Sequence, residues 1–158
     1  MLGGRLGRML VGMSEVPSRL SAVTLGARDM AGLRRFYRDL GWEELPASDD
    51  NWAGFLLGGV LLTLYPADLL AAEAAGGAPA PAGWSGITLI CNVDRREQVD
   101  PAFAAAVAAG ATVVAEPVDR SWGGRSAYFA DPEGNRWEIA WAPGTRFDAR
   151  GALIGLDG

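Results

Sequence analysis

The side chains that could perform chemistry in this sequence are carboxylates, arginines, aromatic residues and one cysteine, because its 158 residues include no histidine. Without imidazole, a Ser–His–Asp triad, a Cys–His dyad and a histidine-ligated metal centre are all excluded. The single cysteine, Cys91, lies at a position of its strand that should face the core, where a thiol without a neighbouring base is inert. Whatever this protein does, imidazole takes no part in it.

Composition and charge limit the class of protein further. The chain is 49% hydrophobic and 21% charged and contains six tryptophans, which is enough for a packed core in one domain, or in two very small ones that share it. A net charge of −5 disfavours nucleic acid and anionic membranes as partners. A lone cysteine cannot form an internal disulfide, so we expect a soluble protein of the reducing cytoplasm.

The N-terminus differs in composition from the rest of the chain. Residues 1–18 are basic and glycine-rich and lack the apolar stretch of roughly 7–15 residues that a signal peptide needs. No run approaches the ~18 apolar residues of a membrane span. We expect a flexible extension at 1–18, with Met13 as an alternative start.

The elements that must position the reactive side chains follow one order twice. Apolar residues recur at helical spacing after Asp29, a helix N-cap, up to the helix-ending Gly41. In the second half Gly110 ends a longer helix that begins at Asp94 or at Asp100–Pro101. The predicted strands of the first half cover 19–27, 42–45, 52–57 and 60–65, and those of the second half cover 85–93, 112–117, 125–130 and 137–141.

This order indicates an internal repeat of a βαβββ unit. The segment AVTL at 22–25 corresponds to GITL at 86–89, and Asp29 corresponds to Asp94. The expected organisation is a first module at 19–66, a short helix and linker at 67–83, a second module at 84–143 and a tail of low structural content at 144–158.

Two such modules, the second of which ends in DPEGNRWEIAWAP, resemble the vicinal-oxygen-chelate superfamily. That superfamily includes glyoxalase I, extradiol dioxygenases, methylmalonyl-CoA epimerase and the bleomycin-resistance proteins. The likeness covers residues 19–143; its most specific part runs from Phe129 to Asn135 and on to Glu138. The pattern D-[ML]-x-x-[LS]-x-x-F-Y-x-x-L-G-W, seen from Asp29 to Trp42, supports it. The resemblance implies an α+β fold, with a curved mixed sheet open on one side and helices on its outer face.

The resemblance also implies four metal-ligand positions, one on each of four strands. In this sequence they fall on Ala22, on Thr63 (or Leu62 if the register slips by one), on Gly86 and on Glu138. One carboxylate, one hydroxyl and two side chains without donors cannot replace a site of three or four ligands. We therefore expect neither a metal nor another cofactor.

Alternation along the strands predicts which side chains line the open face if Ala22 and Gly86 face inward. The loop containing Trp122 could add stacking, although an ordinary hairpin with a packed tryptophan is an equally simple interpretation. The alternation leaves the orientation of Tyr128 and Arg125 open. The candidate catalytic residue is Glu138, whose simpler interpretation is a relic bonded to a neighbour or a water. The predicted ligand-binding residues are Thr24, Trp52, Thr63, Tyr65, Thr88, Asn92, Trp122, Arg125 and Tyr128.

The resemblance favours a homodimeric, metal-independent protein that sequesters an aromatic or cationic metabolite or antibiotic, as superfamily members without the metal ligands commonly do. The alternative is a metal-independent isomerase or lyase, with Glu138 as general base and Arg125 or Tyr128 stabilising an anionic intermediate. A third interpretation keeps a metal on Glu138, Asp119 and Asp131.

Overall fold

The structure, a computed structural model, describes residues 16–157, so most of the expected extension at 1–18 lies outside the described residues. The first module contains β1 (Ala22–Ala27), α1 (Met30–Asp39), β2 (Ala53–Leu57) and β3 (Val60–Pro66), and α2 (Ala67–Ala74) follows it. The second contains β4 (Thr88–Asn92), a 3₁₀ turn (Arg96–Gln98), α3 (Val99–Ala108), β5 (Thr112–Asp119), β6 (Arg125–Ala130) and β7 (Arg136–Trp141). A hairpin of β8 (Thr145–Phe147) and β9 (Leu153–Leu156) completes the described chain.

The two modules have the same sheet topology. The strand order is β1-β3-β2 in the first sheet and β4-β7-β6-β5 in the second. In each sheet the first strand pairs parallel with the last, and the other pairs are antiparallel. The predicted α+β fold with mixed sheets that do not close is therefore confirmed. No helix in residues 16–157 has both the length and the apolar character to cross a bilayer.

The strand predicted over 42–45 is not formed. Its place in the first sheet is held by a single bridge between Glu44 and Phe55. Trp42 turns inward and stacks on the ring of Tyr37, with centroids 5.3 Å apart, and Arg34 pairs with the Glu44 carboxylate. These contacts with α1 replace the continuous ladder that a strand would need.

One hydrophobic core lies between the helices and both sheets. Leu25, Leu64 and Phe55 contribute to it from the first sheet, and Phe129 and Trp137 from the second. Because side chains alternate across a strand, the residues between these ones face away from the core. We call that side of each sheet its open face.

Two local expectations differ from the structure. The segment at 144–158 carries the β8–β9 hairpin, which forms because Asp148 accepts backbone hydrogen bonds from Arg150 and Ala152 and so closes the turn. The strand predicted over 85–93 begins only at Thr88, since Gly86 has a left-handed φ of 85° that a strand cannot contain.

The two sequence motifs meet where the modules touch. Asp131 accepts hydrogen bonds within its own turn from the backbone of Glu133 and Asn135, each at 2.9 Å. It also accepts one from the Tyr37 hydroxyl of α1 at 2.5 Å. The Glu133 carboxylate in turn accepts from the backbone N–H of Asp29 at 2.8 Å. The DPEGN turn therefore joins the second module to the beginning of α1.

Candidate functional site

The positions that correspond to metal ligands do not form a metal site. Ala22 is exposed and has no donor atom, and Gly86 lies outside β4. The Thr63 hydroxyl donates to the hydroxyl of Thr24 at 2.7 Å. Only Glu138 offers a carboxylate, and in the described residues no group of three histidine, cysteine, aspartate or glutamate side chains could hold an ion. This donor set does not fit a divalent metal.

The third interpretation, a metal held by Glu138, Asp119 and Asp131, is not supported. Asp119 pairs with Arg96 and Arg125, and Asp131 is engaged in the turn and by Tyr37. Arg96 and, second, Arg125 hold the pKa of the Asp119 carboxyl below its usual range. The three carboxylates therefore face different partners.

The polar side chains on the open face of the first sheet have hydrogen-bond partners within the protein. Thr24 and Thr63 pair with each other across β1 and β3. The ring of Trp52 lies over Gly54, where an added Cβ would be 2.5 Å from its Cη2 atom. The Tyr65 hydroxyl donates to Glu73 of α2 at 3.0 Å, a bond that raises the pKa of Tyr65. These four predicted site residues are thus engaged within their own module.

The open face of the second sheet carries a different group of residues. Glu138 pairs with Ile90 of β4 and with Tyr128 of β6 across its two neighbouring strands. The Glu138 residue as a whole is only 9% exposed. Burial and, second, hydrogen bonding with Glu138 raise the pKa of Tyr128, so its hydroxyl remains a donor at neutral pH. The structure therefore places Tyr128 on the same face as Glu138, which the sequence left open.

An arginine that the sequence analysis did not select completes this group. Arg120 follows β5, and its Nε donates to the Ser126 hydroxyl at 2.8 Å. Its guanidinium carbon lies 5.4 Å from the ring centroid of Tyr128, a cation–π geometry. Its Nη2 atom is buried and has no hydrogen-bond partner among the described residues. A buried donor without a partner costs about 1–3 kcal/mol, and more when charged. An acceptor that bonds to this nitrogen would therefore stabilise the protein.

A small cavity opens beside Tyr128. Its volume is about 220 Å³, below the roughly 300–1,000 Å³ of pockets that hold whole drug-sized molecules. Two aromatic rings form part of its wall, and Arg136 brings a second guanidinium. The lining residues are Trp84, Thr88, Val114, Tyr128 and Arg136. The cavity can hold one flat aromatic ring. The same face of the sheet also carries a positive charge on Arg136 and a carboxylate on Glu138.

Two candidates from the loop before β6 lie elsewhere. Arg125 is on the core face, where it pairs with Asp100 at 2.8 Å and Asp119 at 3.2 Å. Trp122 is 52% exposed, and its ring covers Gly124, which has no side chain in the way. The ring of Trp122 therefore packs on its own loop, as in the alternative interpretation of an ordinary hairpin with a packed tryptophan.

The remaining predicted residues lie on β4. Thr88 lines the cavity, while the Asn92 amide donates to the Ala140 carbonyl at 3.2 Å and reinforces the β4–β7 pair. Burial raises the pKa of the Cys91 thiol, which agrees with an inert cysteine.

The sequence contained only a weak signal for Arg120. Counting alternate residues back from β6 fails because the β5–β6 ladder shifts register between Val113 and Ala115 and again before Val118. The signal in the sequence was the pair of glycines in this loop. Gly123 has a φ of 95°, which allows the tight turn between β5 and β6 that places Arg120 over β6.

Comparison with known proteins agrees with the fold and its motifs. The model of the Glyoxalase/Bleomycin resistance protein/Dioxygenase superfamily matches residues 19–139. The chain belongs to this superfamily. No curated protein matches the sequence.

Three solved structures illustrate how this superfamily member resembles others. A glyoxalase-related enzyme from Fulvimarina pelagi is 25% identical, with 89% of this chain and 100% of that chain covered and a TM-score of 0.81. A glyoxalase/bleomycin resistance protein/dioxygenase from Nocardioides is 25% identical, with coverages of 92% and 93% and a TM-score of 0.64. A lactoylglutathione lyase from Agrobacterium tumefaciens is 23% identical, with coverages of 80% and 96% and a TM-score of 0.62, which is a likeness of fold.

Proposed function

We propose that this protein binds and sequesters a small organic molecule on the open face of its second sheet, without a metal ion. The observation that carries the proposal is the cavity with Tyr128 in its wall, since Glu138 lies across the strand pair from Tyr128 and Arg120 lies over the Tyr128 ring. Polar groups that converge at a largely apolar cavity are typical of ligand sites. Of the ligands that the sequence suggested, aromatic or cationic metabolites and antibiotics, the walls formed by Trp84 and Tyr128 favour an aromatic one.

Tryptophan fluorescence tests this proposal, because Trp84 lines the cavity and is 62% exposed. A panel of glycopeptide, quinone and polyketide compounds should contain at least one that quenches the emission of EDTA-treated protein. Trp84→Phe should remove most of that quenching. Trp122→Phe is the matched control, since Trp122 is also exposed but covers Gly124 instead of the cavity, and it should leave the response intact.

Two results would overturn the proposal. Absence of quenching across the whole panel would mean that the cavity does not accept ligands of this kind. Quenching that disappears after EDTA treatment and returns with a divalent metal would show that binding depends on an ion.

A second candidate function is a metal-independent isomerase or lyase. It is favoured by the position of Glu138 directly across the β6–β7 pair from Tyr128, which brings a carboxylate and a phenol to one face. In such an enzyme Glu138 would remove a proton from a carbonyl compound, and Tyr128 or Arg120 would stabilise the resulting oxyanion. Glu138→Gln should abolish turnover while preserving binding; unchanged turnover would eliminate this mechanism.

We propose a cytoplasmic homodimer as the working state, with a small organic ligand and neither nucleic acid nor membrane as partner. Exposed apolar side chains support the dimer: Trp84, Ile87 and Ile90 on or near the second sheet are each more than half exposed. Sedimentation equilibrium should give twice the chain mass of 16.6 kDa. A monomer at all concentrations would contradict the dimer and leave the ligand proposal untouched.

A further inference from the structure

The charges at Tyr128 bear on the kind of ligand that this face accepts. Two guanidinium groups lie there: Arg120 over the Tyr128 ring and Arg136 in the cavity wall. One carboxylate, that of Glu138, lies across the β6–β7 pair. Although the whole chain has a net charge of −5, the side chains around Tyr128 bring two positive charges and one negative charge together.

The protein leaves one donor of Arg120 without an acceptor. The Ser126 hydroxyl accepts from Nε, and within residues 16–157 no carboxylate lies within 4.0 Å of the guanidinium, so neither N–H group of the buried Nη2 atom has an acceptor. An arginine cannot remove this mismatch by losing its charge. A second arginine in the wall adds to the positive character, and its own Nη1 donates to the Gly134 carbonyl at 3.0 Å.

We infer that the ligand of this face is an aromatic molecule carrying an anionic oxygen group, such as a carboxylate, which accepts hydrogen bonds from Arg120. The ring lies in the cavity between Trp84 and Tyr128, and the carboxylate extends beyond the cavity lining to the Arg120 guanidinium, which lies over the Tyr128 ring. A planar guanidinium matches a carboxylate in a fork of parallel hydrogen bonds, which an ammonium ligand cannot offer. This inference rests on the proposed function and narrows its ligand from aromatic or cationic to aromatic and acidic.

A pair of probes with the same aromatic ring and opposite charges tests the inference. Isothermal titration calorimetry at low ionic strength would compare 1-naphthoate with 1-naphthylmethylammonium, and 1-naphthylmethanol would serve as the neutral reference. The native protein should bind the naphthoate at least tenfold more tightly than the ammonium compound. Arg120→Gln should reduce that preference to less than threefold.

Two further variants keep the result interpretable. Arg120→Lys keeps the charge but loses the fork, so it should retain the preference for naphthoate with weaker affinity. Arg125→Gln is the matched control: it removes an arginine at the other end of the same hairpin, from the core face, and should keep the full preference. Circular dichroism would verify that each variant is folded.

The outcomes separate the inference from the proposed function. Tighter binding of the ammonium probe, or an undiminished naphthoate preference in folded Arg120→Gln, would overturn the inference and leave small-molecule binding intact. No binding of any of the three naphthyl compounds would count against the proposed function itself, and the inference would fall with it.

Discussion

The two sheets share one strand order, yet the polar residues on their open faces are arranged differently. On the first sheet Thr24 and Thr63 hydrogen-bond to each other, and Tyr65 bonds to α2. On the second sheet Arg120 keeps a buried nitrogen without an acceptor, next to Tyr128. The polar side chains on the first face therefore hydrogen-bond within the protein. On the second face, a buried donor of Arg120 has no acceptor among the described residues. This difference, and not the shared fold, is the reason why we place the proposed ligand site on the second sheet.

The largest expected effect concerns the core beneath both faces. Phe129 is 2% exposed, stacks on Trp137 and contacts Phe36 of α1. Phe129→Ala should lower the free energy of unfolding by about 3–5 kcal/mol, because it removes packing shared by both modules. Urea unfolding followed by circular dichroism and by fluorescence should give coincident transitions.

The control for that variant is Leu56→Ala. Leu56 lies on the open face of the first sheet and is 62% exposed, so its truncation should change stability little. Two separate transitions in the Phe129 variant would mean that the modules unfold independently. The two open faces would then belong to two separate domains and not to one.

A smaller effect is expected at the hydrogen bond that joins the modules. Tyr37→Phe removes a donor to the Asp131 carboxylate and should cost about 1.5–3 kcal/mol, the range for hydrogen bonds to charged groups. Burial and, second, the Asp131 charge raise the pKa of Tyr37 well above 10.0. The native state therefore holds this proton more tightly than the unfolded state does.

The sign of the pH dependence follows from that difference. The contribution of Tyr37 is fully present below pH 10, the ordinary value of an unfolded tyrosine, and decreases as the pH rises above it. Urea midpoints measured between pH 8 and 11 should fall at the alkaline end, and Tyr37→Phe should flatten this fall. An equal slope in both proteins would show that another group controls alkaline stability.

A matched pair of threonine substitutions compares the two open faces directly. Thr63→Val breaks a satisfied hydroxyl pair and should lower the free energy of unfolding by about 0.5–1.5 kcal/mol. The Thr88 hydroxyl has no hydrogen-bond partner among the described residues and lines the cavity, so Thr88→Val should change stability by less than about 0.5 kcal/mol. Titration with 1-naphthoate should show altered affinity only for Thr88→Val. The reverse assignment of these two effects would move the ligand site to the first sheet.

The sequence predicted the fold well because the fold depends on patterns that local chemistry enforces. Asp29 caps α1 through the backbone of Gly32, as expected, and the DPEGN turn lies between β6 and β7. The prediction of a strand over 42–45 was wrong because two of its side chains contact α1 instead: Trp42 stacks on Tyr37, and Glu44 pairs with Arg34. Tertiary packing overrode a local preference there.

The site was less predictable than the fold. Alternation placed Thr88 and Glu138 on the open face, where the structure also has them, because β4 and β7 are regular. The irregular register of β5 interrupts this alternation, so the sequence did not indicate that Arg120 lies beside Tyr128. Orientation of a side chain in a loop depends on the path of the backbone, which residue types alone do not fix.

The smallest expected effect belongs to Arg125, whose role differs from that of Arg120 although both come from the same hairpin. Arg125 pairs with Asp100 and Asp119, whose side chains are more than half exposed. Pairs of that kind contribute about 0–1 kcal/mol and are screened by salt. Arg125→Gln should therefore lower the urea midpoint slightly at low ionic strength and not at all in 1 M NaCl. Arg120→Gln should show no comparable salt dependence, because its guanidinium makes no ion pair within residues 16–157 and lies beneath the site. A large, salt-independent loss of stability in the Arg125 variant would contradict this expectation. It would show that the stability of the second module depends on Arg125, on the core face.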